Sequence, residues 1–286
     1  MKIFLKFFLL LLISANSASA QNIASINPIY QILLAITEDK NNSILIINPG
    51  NSEHNYSLKK NDIAAFNKAN LIFYVDDSLE NKFPKIIKNL SLQKKSYQLS
   101  KINSIKLLQR RNNHKKLDPH IWLNLKNGIK IAQFMTQKLC ESDQKNCKKY
   151  QRNFEKFERD AFQTDKVIRA QLTKMSDSGY VFYHDGYQYF EDYFGVKPLK
   201  IMSYDNAPEL SLKDMREFAN LVKTRKVKCV FGEVVDEKNS AMKLAQNYKI
   251  KFMILDLIGS KENFSKERNG YLALLLNMVS DMGVCK

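Results

Sequence analysis

Glycine and proline are scarce in this 286-residue chain, nine and six residues respectively. That excludes collagen-like architectures and leaves little room for long flexible linkers. The chain has no C-x-x-C pair, no H-E-x-x-H, no G-x-S-x-G and no glycine-rich phosphate loop. The usual zinc-cluster, metalloprotease, serine-hydrolase and nucleotide signatures are therefore missing. Past the N-terminal segment, no stretch is apolar enough to span a bilayer. Acidic residues are also in short supply, 29 against 45 Lys and Arg, for a formal charge of +16. A charge that size raises a nucleic-acid reading, but no recognition motif accompanies it. What is present, 44% hydrophobic and 26% charged residues, is the composition of a globular protein long enough for two domains.

The first twenty residues have their own logic. Lys2 and Lys6 precede the apolar run Phe7 to Ile13, and small residues from Ala15 lead to Ala18-Ser19-Ala20. This is the pattern of a secretory signal with an A-x-A cleavage site. No Cys follows that site, so no lipid anchor is expected. The mature chain should begin near Gln21 and be exported, which argues further against nucleic acid as a partner.

Export allows the four cysteines to pair. Four cysteines permit three connectivities. A local Cys140–Cys147 pair with a long-range Cys229–Cys285 pair is the simplest, and closing the longer loop contributes about 4 kcal/mol in the chain-entropy model. A four-cysteine zinc cluster is the alternative, and the spacing does not support it.

Apolar patterning predicts alternating strands and helices. Pro28 to Ile36 reads as a helix, Ser43 to Ile47 as a buried strand, Asn61 to Asn70 as a capped helix and Leu71 to Val75 as the next strand. Such alternation implies a parallel sheet. Residues 101–117 are basic and polar and read as a solvated loop. A helix follows over 125–139. Then Tyr150, Phe154, Phe157, Ala161, Ile168, Leu172 and Met175 keep a 4-3 spacing interrupted at Thr164, with no Gly or Pro. A helix of about 26 residues, about 39 Å long, fits a strut between two lobes better than a short coiled coil. Beyond it, strands are predicted at Tyr180–Tyr183, Lys228–Phe231 and Phe252–Leu255. Helices are predicted from a Ser211–Asp214 capping box to about Arg225, at Asn239–Tyr248 and at Glu267–Met282.

Imidazole chemistry must come from His54, His114, His120 or His184. His54 follows the first predicted strand, His184 ends the strand Tyr180–Tyr183, and Asp256 ends Phe252–Leu255. In open parallel sheets ligands bind outside the carboxyl ends of strands. His120, after Pro119, lies at a loop-to-helix junction that can face the same cleft. Three imidazoles and one carboxylate make a tetrahedral set for zinc. Position alone does not compel this, since a lone histidine after a strand is commonly solvated or hydrogen-bonded. His114, in the basic loop, reads as solvated. Glu53 is either a spare oxygen ligand or an exposed acid.

Four motifs sharpen the reading. Ser52-Glu53-His54-Asn55-Tyr56-Ser57-Leu58, Asp118-Pro119-His120-Ile121-Trp122-Leu123, Tyr183-His184-Asp185-Gly186-Tyr187-Gln188-Tyr189-Phe190 and Leu255-Asp256-Leu257-Ile258-Gly259 occur in this order. Together they resemble the metal-binding solute-binding proteins of ABC transporters, the cluster A-I family, in its zinc-type branch, from about Ile26 to the C-terminus. The resemblance implies an α/β fold of two lobes, each a mainly parallel sheet flanked by helices, joined by one long helix. The corresponding division is a signal peptide at 1–20, an N-terminal lobe at 21–141, a linking helix at 142–175 and a C-terminal lobe at 176–286. The family's three histidines fall on His54, His120 and His184. Manganese-type relatives carry Glu at the third position, so His184 favours zinc. The fourth ligand falls on Asp256, with Glu53 or a water as the alternative. The family disulfide matches Cys229 and Cys285, while Cys140 and Cys147 have no family counterpart. The chain lacks the His- and acid-rich loop that zinc-type members often carry before the second histidine. Gly186 replaces a more usual Ala, a change expected to matter little.

The resemblance thus implies a periplasmic monomer that catalyses nothing. It would bind Zn²⁺ as cargo and deliver it to an inner-membrane ABC permease driven by a cytoplasmic ATPase. A manganese-binding member of the same family and a secreted zinc-dependent hydrolase are the alternatives.

Overall fold

Short apolar strands separated by amphipathic helices can bury both faces only as covered parallel sheets, and two such sheets form. The computed structural model describes residues 21–175, 179–204, 210–234, 240–260 and 270–285. Residues 1–20, expected to be an export signal, lie outside the described residues.

In the first half, β1 (Gln21–Ala24), β2 (Ser43–Leu45), β3 (Ala69–Tyr74) and β4 (Ser96–Gln98) run parallel in the order β2-β1-β3-β4. Helices α1 (Asn27–Thr37), α2 (Lys60–Lys68) and α3 (Phe83–Asn89) connect them. Pro28 sits in the first turn of α1, where its missing N–H costs nothing. The Asp62 carboxylate accepts from the Lys59 N–H at 2.7 Å to start α2, and Asn70 belongs to β3 rather than to the helix. The predicted strand at Ser43 ends its ladder at Leu45, although the N–H groups of Ile46 and Ile47 still donate to Ala24 and Ser25. An antiparallel hairpin, β5 (Gln109–Arg110) and β6 (Asn113–Leu117), occupies the segment expected to be a plain solvated loop.

Helix α4 (Leu125–Ser142) leads through a turn closed by the Cys140–Cys147 disulfide into α5 (Cys147–Thr173). At 27 residues α5 is about 40 Å long. It buries Tyr150, Phe157, Ala161, Thr164 and Ile168 along one face. Thr164, the break in the spacing, is accommodated because its hydroxyl donates to the Asp160 carbonyl one turn back at 2.9 Å.

The second half repeats the plan. β7 (Tyr180–His184), β8 (Lys200–Ser203), β9 (Cys229–Gly232) and β10 (Lys251–Ile254) run parallel in the order β10-β9-β7-β8. Helices α6 (Gln188–Phe194), α7 (Leu212–Lys223) and α8 (Ser240–Asn247) intervene. Ser211 caps α7 by accepting from the Asp214 N–H at 3.1 Å. Residue 239 and residues 267–269, parts of two predicted helices, lie outside the described residues. Cys229 is bonded to Cys285, just past α9 (Gly270–Gly283). Helix α9 packs on α1 and α5, so one hydrophobic core continues through both halves. A smaller core, with Val181, Phe218, Val230 and Leu244, lies within the second half. Among the described residues no helix is long and apolar enough to cross a membrane.

Tyr271 of α9 ties this return helix down. Its hydroxyl donates to the Trp122 carbonyl at 2.7 Å, and the Trp122 indole N–H donates to the Leu257 carbonyl at 2.9 Å. The phenol end of Tyr271 lies against Gly128 of α4, where a Cβ would approach its Cε1 to 2.6 Å and its hydroxyl oxygen more closely still. Gly128→Ala should therefore destabilise the protein by about 1–3 kcal/mol, the usual cost of overpacking. Adding Tyr271→Phe should recover only part, because the ring carbons still collide. Urea unfolding of both variants tests this, and a native midpoint for Gly128→Ala would refute it.

Candidate metal centre

Parallel order gathers the carboxyl ends of each sheet along one edge, and side chains beyond the ends of both sheets meet in one cleft. His54 lies on the loop after β2. His120 stands between β6 and a short helical turn, Ile121–Leu123. His184 is the last residue of β7. One ligand nitrogen from each lies within 4.8 Å of the other two. Ring centroids are separated by 5.6, 6.0 and 5.6 Å. His120 and His184 are buried and His54 is half-buried. The Nε2 atoms of His54 and His120 are buried with no hydrogen-bond partner among the described residues. A buried imidazole nitrogen without a partner is costly, and two of them aimed at a third imidazole fit a cation such as zinc as the missing partner.

Carboxylates hold two of the rings. Asp118 Oδ1 accepts from the His120 backbone N–H at 3.0 Å and lies 2.7 Å from its Nδ1. Glu233 Oε1 contacts His184 Nδ1 in a short hydrogen bond. Both carboxylates favour the tautomer with the proton on Nδ1, which leaves the Nε2 lone pair for a ligand. Burial pulls the His184 pKa down, but the Glu233 charge and hydrogen bond outweigh it, and the net shift is upward. For Glu233 the same pairing overcomes burial and lowers its pKa. Among the described residues no carboxylate hydrogen-bonds to His54. Burial, reinforced by the neighbouring His120 and His184 imidazoles and by Arg110, holds its pKa well below the usual range.

Glu53 is buried, not an exposed acid, and its Oε1 lies 3.8 Å from His54 Nε2. Burial, with the Glu233 charge, raises its pKa. Asp256 is also buried, but its Oδ1 accepts from the N–H groups of Ile258 and Gly259 at 3.2 and 2.8 Å. The three-imidazole cluster includes neither Asp256 nor Glu53. His114 is exposed on β6, outside the cleft. A cavity of about 190 Å³ opens beside the imidazoles, with Asn55, Arg110 and Tyr204 among its lining residues.

Two features escaped the sequence reading. Glu233 follows β9 immediately, so the strand-end logic that picked out His184 could have found it. Arg111, in the hairpin turn, pairs with Asp185 and Glu191, and nothing local in the sequence announces that contact. At Gly186 a Cβ would lie 2.7 Å from Leu257 Cδ1, the flexible end of that side chain, and 3.1 Å from His184 Nδ1.

Two parallel α/β sheets joined by one long helix, with three imidazoles converging at their facing ends, define a two-lobed solute-binding protein. The chain belongs to the ZnuA family, the periplasmic component A of zinc-uptake complexes, whose model matches residues 23–284. It is a family of transport components, not of enzymes. The high-affinity zinc uptake system protein ZnuA of Brucella abortus (strain 2308) is 23% identical over 304 aligned residues, covering 92% of this chain and 90% of that protein. The manganese ABC transporter substrate-binding lipoprotein scaA of Streptococcus gordonii is 35% identical over 135 residues, covering 45% of this chain and 44% of its own. The Cd-bound periplasmic metal binding protein of Candidatus Liberibacter asiaticus superposes with a TM-score of 0.75 at 21% identity, covering 92% of this chain and 97% of that one.

Proposed function

We propose that this protein captures Zn²⁺ in the periplasm through His54, His120 and His184 and hands it to an ABC permease driven by a cytoplasmic ATPase. The observation that carries the reading is the pair of buried, partnerless Nε2 atoms converging on a third imidazole. Imidazole is a borderline ligand, and at an all-imidazole set zinc outcompetes manganese on the Irving–Williams order. Glu53 is the fourth ligand in this reading, because its Oε1 lies 3.8 Å from His54 Nε2; Asp256, whose Oδ1 is engaged by backbone N–H groups, is the alternative. The pairing of His120 with Asp118 and of His184 with Glu233 keeps two rings aimed before the ion arrives, which reduces the ordering cost of binding.

The test is the metal content of protein purified without added metal, followed by competition titration of zinc against manganese. A single zinc ion per chain and a strong zinc preference are expected. Manganese loading would favour the manganese-binding alternative, which the Streptococcus gordonii match and the Glu53 carboxylate keep in view. His184→Glu should move preference toward manganese by supplying a hard oxygen. Unchanged selectivity would remove His184 from the ligand set. Glu53→Gln should weaken zinc binding more than Asp256→Asn, and the reverse order would restore Asp256 as the fourth ligand.

A further inference from the structure

The basic segment before His120 does more than solvate. Leu108 N–H donates to the Tyr189 hydroxyl at 2.8 Å, and that hydroxyl donates to the Asp118 carbonyl at 3.0 Å. Gln188 Nε2 donates to the Gln109 carbonyl at 3.2 Å, and Lys106 Nζ reaches Asp192 at 2.6 Å. The stretch leading into His120 is therefore stitched to α6, the helix that directly follows the His184 turn. One contact in this seam differs from the rest. Arg111 Nη2 lies 2.8 Å from Glu191 Oε2, while its Nη1 makes a short contact to Asp185. The Asp185 and Glu191 side chains are only 5% and 9% exposed, whereas the Lys106–Asp192 pair is largely solvated at 53% and 31%.

We infer that Arg111 is a positioning residue for metal exchange, bridging Asp185 and Glu191 so that the turn carrying His184 stays clamped to the segment carrying His120. The inference rests on the zinc-binding reading of the three histidines. Asp185 is bonded directly to His184, and its N–H is held by the Ser203 carbonyl at 3.0 Å. Its carboxylate is the other anchor of that turn. Without the guanidinium, two buried carboxylates face each other without their shared counterion, which is strongly unfavourable. The turn relieves this by moving, and His184 moves with it. The ion is held from both halves at once, so the loss appears in its release more than in its capture.

The experiment is stopped-flow release of zinc from the loaded full chain into excess chromogenic chelator, with the association rate and the metal-free melting temperature measured alongside. Arg111→Met should raise the dissociation rate about 10–100-fold, the usual scale for partners that orient metal ligands, with association changed far less. Arg111→Lys should fall between, since a single ammonium cannot form the fork to both carboxylates. A second variant, Arg111→Met with Asp185→Asn and Glu191→Gln, removes the repulsion and guards against simple misfolding. It should melt like the native protein and still release zinc about tenfold faster, because the tether is gone. Native release rates in this folded triple variant, or in Arg111→Met, would overturn the inference while leaving the zinc-binding reading intact. A native protein that takes up no zinc would overturn both.

Discussion

Alanine at position 54, 120 or 184 should lower zinc affinity about a hundred- to a thousandfold, while His114→Ala leaves it unchanged. A four-ligand zinc site is worth ~10–16 kcal/mol at neutral pH, so each ligand carries about 2.5–4 kcal/mol, and every 1.4 kcal/mol is tenfold. The three damaging positions share one geometry, with ligand nitrogens within 4.8 Å of one another. His114 faces solvent on β6 and has no place in it. His120→Ala also strips Asp118 of the imidazole it orients, so the metal-free melting temperature must be recorded beside the titration. A damaging His114→Ala together with a silent His120→Ala would mean that the ligand assignment is wrong.

The second large effect is on pH. Zinc needs neutral imidazole, so every ligand histidine that carries a proton in the metal-free protein makes binding pH-dependent. Counted from the sequence, three equivalent histidines could cost up to about a thousandfold per pH unit at sufficiently low pH. The structure makes them unequal. His54, with its pKa held well below the usual range by burial and its two imidazole neighbours, contributes least to the pH dependence. His184, shifted upward because the Glu233 carboxylate outweighs burial, begins to take up its proton above the ordinary value of about 6.5. Affinity should thus start to fall at a higher pH than an ordinary histidine would set, with His184 alone contributing about tenfold per unit. Glu233→Gln removes the charge that raises His184 and should move the onset to lower pH. An onset unmoved by that substitution would refute the pairing. The sign for folding is separate. A histidine raised in the folded state adds stability below its unfolded pKa and loses it as pH rises through the folded value. The metal-free protein should therefore gain from the His184–Glu233 pair at mildly acidic pH, where zinc binding weakens.

Much of the architecture follows from local pattern. The 4-3 spacing from Tyr150 to Met175 determines α5, because one apolar stripe at helical period has to be buried. The strands at Leu71, Tyr180 and Lys228 announce themselves as apolar runs, since strands covered on both faces have no polar side, and the one at Phe252 does so although β10 is only partly buried. His54, His120 and His184 stood out because strand ends and a Pro-His junction are where a parallel α/β fold presents side chains to ligand. The same criterion fails for β1, β4 and β8. Gln21–Ala24, Ser96–Gln98 and Lys200–Ser203 are too short and too polar to be recognised, and they become strands because a neighbouring ladder satisfies their backbone groups. Yet β1 lies between β2 and β3 at the centre of its sheet.

What only the tertiary structure decided are the contacts between charges far apart in the chain. Arg111 meets Asp185 and Glu191 across 74 and 80 residues, and Glu233 meets His184 across 49. The physical reason is one of range. Periodicity and strand-end position are written in neighbouring residues, because they reflect the burial of local faces. An ion pair or a ring-orienting hydrogen bond depends on a few ångströms between side chains that only the closed fold brings together. By itself the sequence determined which side chains could bind a metal, and the packing of the two halves decided which of them are held in place to do it.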